Sequence, residues 1–217
     1  MATEVEAKFR ATGAAPLRAL ADADRLGDGA LGALETFDEI DRYLDTVDGR
    51  LAAQRWACRL RYRQGRWLVS LKGPAIDDGE APPEWLHTRP ELEGPAVDSL
   101  DPASWPDSAA CDRLTAMSAG AALVERLRLL QRRTERPVTV GGRPLATLSL
   151  DEVRVERDGL PGGSFRVVEL ELVEGADPGV LAGFAGILRG MPDLVPDPRS
   201  KLECALGMLE EGHPTDA

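Results

Sequence analysis

Glu4-Val5-Glu6-Ala7-Lys8-Phe9 puts Glu4, Glu6 and Lys8 on one face of a strand and Val5, Ala7 and Phe9 on the other. Two carboxylates and an ammonium in a row also suit an edge strand that must stay soluble, so the motif alone fixes only its own phase. Its weight comes from recurrence, because charge on every second position with apolar residues between returns along the chain.

Working outward, Arg59, Arg61 and Arg63 share one strand face against Cys58, Leu60 and Tyr62. Gln64-Gly65 turns the chain, and Trp67 to Lys72 returns antiparallel with Lys72 in phase with Ser70. Such a hairpin sets like charges side by side, a repulsion that an anion or interleaved carboxylates would relieve. Arg89, Glu91 and Glu93 are in phase, and Pro90 predicts a sheet edge or strand start there. Thr36 to Val47 reads as a strand carrying Phe37, Ile40, Tyr43 and Leu44. Leu123 to Val140 reads as a long strand through Arg132-Arg133-Thr134, with Leu127, Leu129 and Leu130 leaving a helical start open. Gly141-Gly142 folds it into Ala146 to Val155, where Ser149, Asp151 and Val153 share a face, and Phe165 to Glu174 holds the pair Glu169 and Glu171.

Helices are predicted over 14–26, 108–118 and from Asp177-Pro178 to about Arg189. A last helix opens at Ser200 with Glu203 in a capping box and buries Leu202, Leu206 and Leu209. Lys201 falls in its first turn, where the helix dipole disfavours a cation, so another partner is required. Residues 73–87 read as a loop.

The formal charge of -11 argues against general nucleic-acid binding. Three cysteines at no ligand spacing indicate neither a disulfide framework nor a zinc site. With no apolar run near the ~20 residues of a membrane span and no apolar centre of a secretory signal, a cytoplasmic protein is expected. One domain over 1–211 with a short tail at 212–217 is the expected organisation. Gly27, Gly29 and Gly32 satisfy GxGxxG but follow a helix, which removes the dinucleotide reading, and no GxxxxGK[ST] loop occurs. Of 26 basic residues only Lys8, Lys72 and Lys201 are lysine. A compact point charge retained among so many arginines suits phosphate oxygens.

About eight strands joined mostly by hairpins, with helices between, make an α+β fold. Alternation fits either a one-sided sheet or a closed barrel with charge inside, and does not choose between them.

Glu4-x-Glu6-x-Lys8, Tyr43-Leu44-Asp45-Thr46-x-Asp48, Arg59-Leu60-Arg61, Leu71-Lys72-Gly73-Pro74, Arg89-x-Glu91-x-Glu93, Arg133, Asp151, Glu169-Leu170-Glu171 and Ser200-Lys201 together resemble the CYTH domain, or triphosphate tunnel metalloenzyme, superfamily, in the family's order. The resemblance implies a closed eight-stranded antiparallel β-barrel, a triphosphate tunnel with helices packed outside. It implies metal ligation by Glu4, Glu6, Asp151, Glu169 and Glu171, with Mg²⁺ or Mn²⁺ as the hard cation. Lys8, Arg59, Arg61, Lys72, Arg133 and Lys201 would clamp the phosphates, and Glu4, Glu6, Lys8, Lys72 and Glu171 would be the catalytic set. Glu91 and Glu93 would orient these cations or reach a metal, while Arg63, Arg89 and Arg132 would sit at a rim or pair with carboxylates. The implied activity is hydrolysis of the terminal phosphoanhydride of a small-molecule triphosphate, with inorganic triphosphate favoured because the motif segments show no aromatic base platform. Thiamine or nucleoside triphosphates, cyclase chemistry and a non-catalytic polyphosphate or nucleotide binder are the alternatives. A homodimer stays open.

Overall fold

The computed structural model describes residues 2–76 and 82–211. The predicted tail at 212–217 and part of the 73–87 loop lie outside them. The chain runs β1 (Ala2–Ala11), α1 (Ala15–Asp22), β2 (Arg25–Leu26), β3 (Gly29–Leu31), β4 (Glu35–Thr46), α2 (Arg50–Ala53), β5 (Ala57–Arg63), β6 (Arg66–Lys72) and β7 (Leu86–Ala96). It continues through α3 (Ala109–Ser118), β8 (Leu123–Val140), β9 (Arg143–Arg157), β10 (Leu160–Leu172), α4 (Leu181–Arg189), β11 (Leu194–Pro196) and α5 (Lys201–Glu211).

Among the described residues the order β8-β4-β5-β6-β7-β1-β10-β9 is closed by β8 pairing with β9, so eight antiparallel strands form a barrel. The 18 residues of β8 make this possible, since Arg133 stands opposite Phe37 of β4 on one side and Asp151 of β9 on the other. β3 pairs β8 beyond the end of β4, and β11 pairs β1.

Closure gives the alternation a fixed meaning. Ala7 and Phe9 of β1 face outward into a core with Leu148 and Leu150 of β9, Val168 and Leu170 of β10, Leu17 and Leu20 of α1, and Leu181, Phe184 and Leu188 of α4. Leu60, Val69 and Leu71 face outward under Leu114 and Met117 of α3 and Leu51 of α2. Truncating one such leucine removes roughly 2–5 kcal/mol. The charged face turns inward.

α5 departs from the expected outside position. Ala205 and Leu209 pack on Tyr43, Leu127, Leu129, Val153 and Val155, residues in phase with the inward Arg133 and Asp151, so α5 closes one end of the barrel from within. Gly162 permits this approach, because a Cβ there would lie 2.4 Å from Leu209 Cδ2. The interior therefore passes from apolar at the α5 end to charged beyond it.

Pro90 differs from the sequence expectation. It lies within β7, paired with β1 at Thr3, rather than at an edge. The β6 pairing ends at Lys72 opposite Glu91, and beyond it Gly73 N donates to Pro90 O, so no bond from a proline N–H is required. The predicted helix over 14–26 is shorter, and Arg25-Leu26 becomes β2. β8 is strand throughout, because Leu127 and Leu129 face the barrel interior.

Candidate active site

A cavity of about 410 Å³ runs inside the barrel. Glu4, Glu6 and Lys8 come to it from β1, Arg59, Arg61 and Arg63 from β5, Lys72 from β6, and Arg89, Glu91 and Glu93 from β7. Arg133 and Glu135 come from β8, Glu169 and Glu171 from β10, and Lys201 from the start of α5, with Glu174 beyond β10. Residues from distant parts of the chain meet because each occupies the inward phase of its strand. Two candidates do not line the cavity. Asp151 lies behind Arg133 and Lys201, and Arg132, one residue out of phase, is exposed on the outer face.

Behind the cavity wall the charges are closely paired. Arg133 donates to both Asp151 oxygens at 2.7 Å and to Glu169 at 2.9 Å, and Lys201 donates to the same two acids at 2.6 and 2.7 Å. Lys201 thus has the partners that its place in the helix demanded. Burial alone would raise Asp151 and Glu169, yet Arg133 and Lys201 hold both below the usual carboxylate range. With both oxygens committed, Asp151 serves as a counter-ion here rather than as an exposed ligand. Arg61 forks onto Asp41 at 2.6 and 2.7 Å, and Gln131 donates to Asp41 at 2.6 Å.

Glu39 is caged differently. Its oxygens lie 3.3 Å from Arg61, 3.5 Å from Arg63 and 3.8 Å from Arg133, and neither accepts a hydrogen bond. Glu39 and Asp41, which sequence reasoning passed over, share the inward phase of β4 with Phe37 and Tyr43, opposite Arg63 and Arg61. The two-residue spacing of Glu39, Asp41 and Tyr43 is the signal that the sequence carries. Arg63 also stacks on Phe37, 3.7 Å from the ring centre, and forks onto Glu135 at 3.1 and 2.7 Å.

Around Glu6 the carboxylates are poorly satisfied. Lys72 donates to Glu4 Oε1, but Glu4 Oε2 and Glu91 Oε1 are buried without a hydrogen-bond partner. Lys72 reaches Glu91 at 3.6 Å. Glu6 and Glu171 have no ion-pair partner among the described residues and stand opposite each other on β1 and β10. Burial, then the charges of Glu169 and Glu4, push Glu6 up to about 8. Burial, then Glu4, pushes Glu171 up to about 7. Lys8, fully buried, donates to Arg199 O at 2.6 Å, and burial lowers it despite Glu169 and Glu6.

The motif Tyr43-Leu44-Asp45-Thr46-x-Asp48 divides between site and scaffold. Tyr43 lines the cavity. Asp45 accepts from the backbone of Leu51 at 2.9 Å and Ala52 at 3.1 Å, and Thr46 Oγ1 donates to Asp48 at 2.7 Å, so these residues fix the turn into α2. Arg136 is likewise structural, donating to the carbonyls of Leu20 and Ala21 at 3.1 and 2.9 Å where α1 ends.

The fold is a closed antiparallel barrel whose interior carries interleaved carboxylates and cations. The CYTH domain family model matches residues 2–202, and the chain belongs to that family. Among solved structures it is similar to HpAC1 from Hippeastrum, named as an adenylyl cyclase candidate with a dominant triphosphatase activity, at 21% identity and TM-score 0.63 over 98% of both chains. It is also similar to an adenylate cyclase candidate from Bacillus halodurans, at 19% identity and TM-score 0.60 over 94% of this chain and 98% of that one. The PH1819 protein from Pyrococcus horikoshii matches at 19% identity and TM-score 0.53 over 93% and 98%. At these identities the likeness bears on the fold. No curated protein matches. No helix among the described residues is long and apolar enough to cross a membrane.

Proposed function

We propose that this protein is a divalent-metal-dependent triphosphatase that hydrolyses the terminal phosphoanhydride of inorganic triphosphate, giving pyrophosphate and phosphate. One observation carries the reading: carboxylates and cations line the cavity in matching numbers, while burial and neighbouring carboxylates push Glu6 up to about 8 and Glu171 up to about 7. Arginines and lysines alone would serve an anion binder. The carboxylates beside them would repel a polyanion unless a hard cation neutralised them, and carboxylate oxygens are the donors that Mg²⁺ or Mn²⁺ takes; no three of these acids are gathered around one point among the described residues, so a bound ion would have to draw them together.

Glu4, Glu6, Glu169 and Glu171 would hold the metal, with Asp151 fixing the cations behind them. A divalent ion there supplies Lewis-acid neutralisation of phosphate oxygens and acidifies water. The chain's own cations do the positioning. Arg59, Arg61, Lys72 and Arg133 enter from β5, β6 and β8 already oriented by Ser70, Asp41, Glu4 and Asp151, so they need little reorganisation to meet phosphate oxygens. Burial and neighbouring acids favour the protonated form of Glu6 and Glu171 in the metal-free chain, and a bound cation would favour their ionised, ligating form.

The lining favours an inorganic chain, since Tyr43 is its single aromatic residue among the described ones. Thiamine and nucleoside triphosphates and cyclisation of ATP are the competing substrates and outcome, and the cyclase names of the structural neighbours favour testing them. Phosphate release from inorganic triphosphate, ATP and thiamine triphosphate with Mg²⁺ or Mn²⁺, for wild type and Glu6→Gln, decides among them. Metal-dependent release from inorganic triphosphate, lost in the variant, is expected. Faster turnover of ATP, or cyclic product from it, would replace the substrate assignment.

A further inference from the structure

One cation in the cavity is held unlike the rest. Lys8 has Glu169 at 4.0 Å, Arg59 has Asp41 at 3.7 Å, Arg61 has Asp41 at 2.6 Å and Arg63 has Glu135 at 2.7 Å. Lys72 is bonded to Glu4, Arg133 has Asp151 at 2.7 Å and Lys201 has Asp151 at 2.6 Å. Arg89 lines the same cavity with no carboxylate in ion-pair reach among the described residues. Its Nη2 lies 2.8 Å from His87 Nδ1, and its Nε is buried without a partner.

The chemistry of the contact fixes the histidine. A guanidinium has no acceptor atom, so Nη2 donates and His87 Nδ1 accepts. The ring's proton then sits on Nε2, which donates to Asp197 O at 2.9 Å. His87 is 4% exposed, and Asp197 belongs to the segment between β11 and α5, so the ring is clamped at both nitrogens. A carboxylate in its place would hold the guanidinium equally well and cancel its charge. A neutral acceptor holds the group and leaves the charge to be answered by something else.

We propose that Arg89 is the cavity's anion anchor, held in position by the neutral acceptor His87 so that its charge is kept for an oxyanion of the phosphate chain. The inference rests on the triphosphatase reading of the same cavity and names the cation that meets the substrate without first losing a carboxylate. Arg89 is then a binding residue and His87 a positioning residue.

The test is KM and kcat for inorganic triphosphate with Mg²⁺ in wild type, Arg89→Gln, His87→Phe and His87→Gln, beside the thermal midpoint of each. Loss of one charged contact to an anion predicts KM rising about 10- to 100-fold in Arg89→Gln, with a smaller change in kcat. His87→Phe, which fills the space without an acceptor, should raise KM in the same direction, and His87→Gln, whose carbonyl accepts from Arg89, should recover most of the loss. Unchanged KM in Arg89→Gln, beside an active wild type, overturns the anchor. A KM rise in His87→Phe that follows the thermal midpoint and is not recovered by His87→Gln overturns the positioning role. Absence of turnover of any triphosphate by wild type overturns the functional reading instead, and the anchor with it.

Discussion

Two regions of the same barrel interior, built from the same alternation of charge, reach opposite electrostatic states. Around Arg133, Asp151 and Lys201, donors and acceptors meet at 2.6 to 2.7 Å, and the acids are stabilised as anions. Around Glu6 and Glu171, carboxylates face each other across β1 and β10 and are pushed toward the protonated form. The first region answers its own charge and acts as scaffold. The second is answered only by an added cation, and a reaction needing a metal would be placed there.

The largest expected effect tests the scaffold. Asp151→Ala leaves Arg133 and Lys201 buried beside a weakened counter-charge, and removal of one partner of such a network costs roughly 3–5 kcal/mol. Chemical denaturation measures it, and a loss near zero would erase the contrast. Next, Glu6→Gln should lower turnover of inorganic triphosphate roughly 100- to 1000-fold while the fold persists, because the residue forms no ion pair among the described residues. A comparable loss of stability would place Glu6 in the scaffold.

The pH dependence sharpens the same division. Glu6 is raised from 4.5 to about 8 and Glu171 from 4.5 to about 7, so the folded state binds more protons than the unfolded one between those values. Their contribution to stability is whole below about pH 4.5 and is lost as pH rises through 7 to 8. Metal and protons compete for the same oxygens, so the rise in thermal midpoint on adding Mg²⁺ or Mn²⁺ should grow from pH 6 to pH 8.5. A metal effect independent of pH would detach the cation from these two acids. Smaller again is Glu39→Gln. Three guanidinium groups would lose a shared counter-charge that forms no close hydrogen bond, so about 1–3 kcal/mol of stability should go.

Strand phase was legible, since Glu4, Glu6, Lys8, Arg59, Arg61, Glu169 and Glu171 all stand on the inward face that period-two alternation assigns them. Closure was not legible from alternation, because it depends on β8 serving β4 and β9 together, a long-range pairing with no local signature. The resemblance to the family supplied it. The inward position of α5 was hidden for a related reason: a stripe of Leu202, Leu206 and Leu209 reads the same whether it packs on a barrel or inside one. A clue stood in β8 and β9, where the inward phase changes from Arg133 to Leu129 and Leu127, and from Asp151 to Val153 and Val155. Asp41 and Glu39 are hard to see in the sequence because β4 mixes the two faces: Phe37 and Tyr43 share the inward phase with these acids, so its polarity does not alternate cleanly. Which cations pair and which stay free is a property of side-chain geometry: the two-residue spacing puts His87 and Arg89 on one face of β7, but their hydrogen bond depends on the rotamers they adopt.

The smallest expected effect is also the closest comparison in the chain. Arg132 and Arg133 are adjacent, yet Arg133 lines the cavity and Arg132 is exposed on the outer face opposite Asp38 and Glu152, in no ion pair with either among the described residues. An exposed arginine in high dielectric contributes little, so Arg132→Ala should change stability by no more than about 0.5 kcal/mol and leave KM for triphosphate unaltered. Arg133→Ala removes the same group from the network of Asp151 and Glu169 and should lower both stability and turnover. Equal effects in the two variants would mean that strand phase does not govern this interior. A large gap between neighbours one residue apart would show that the face of the strand, rather than local basic composition, decides which arginine the barrel uses.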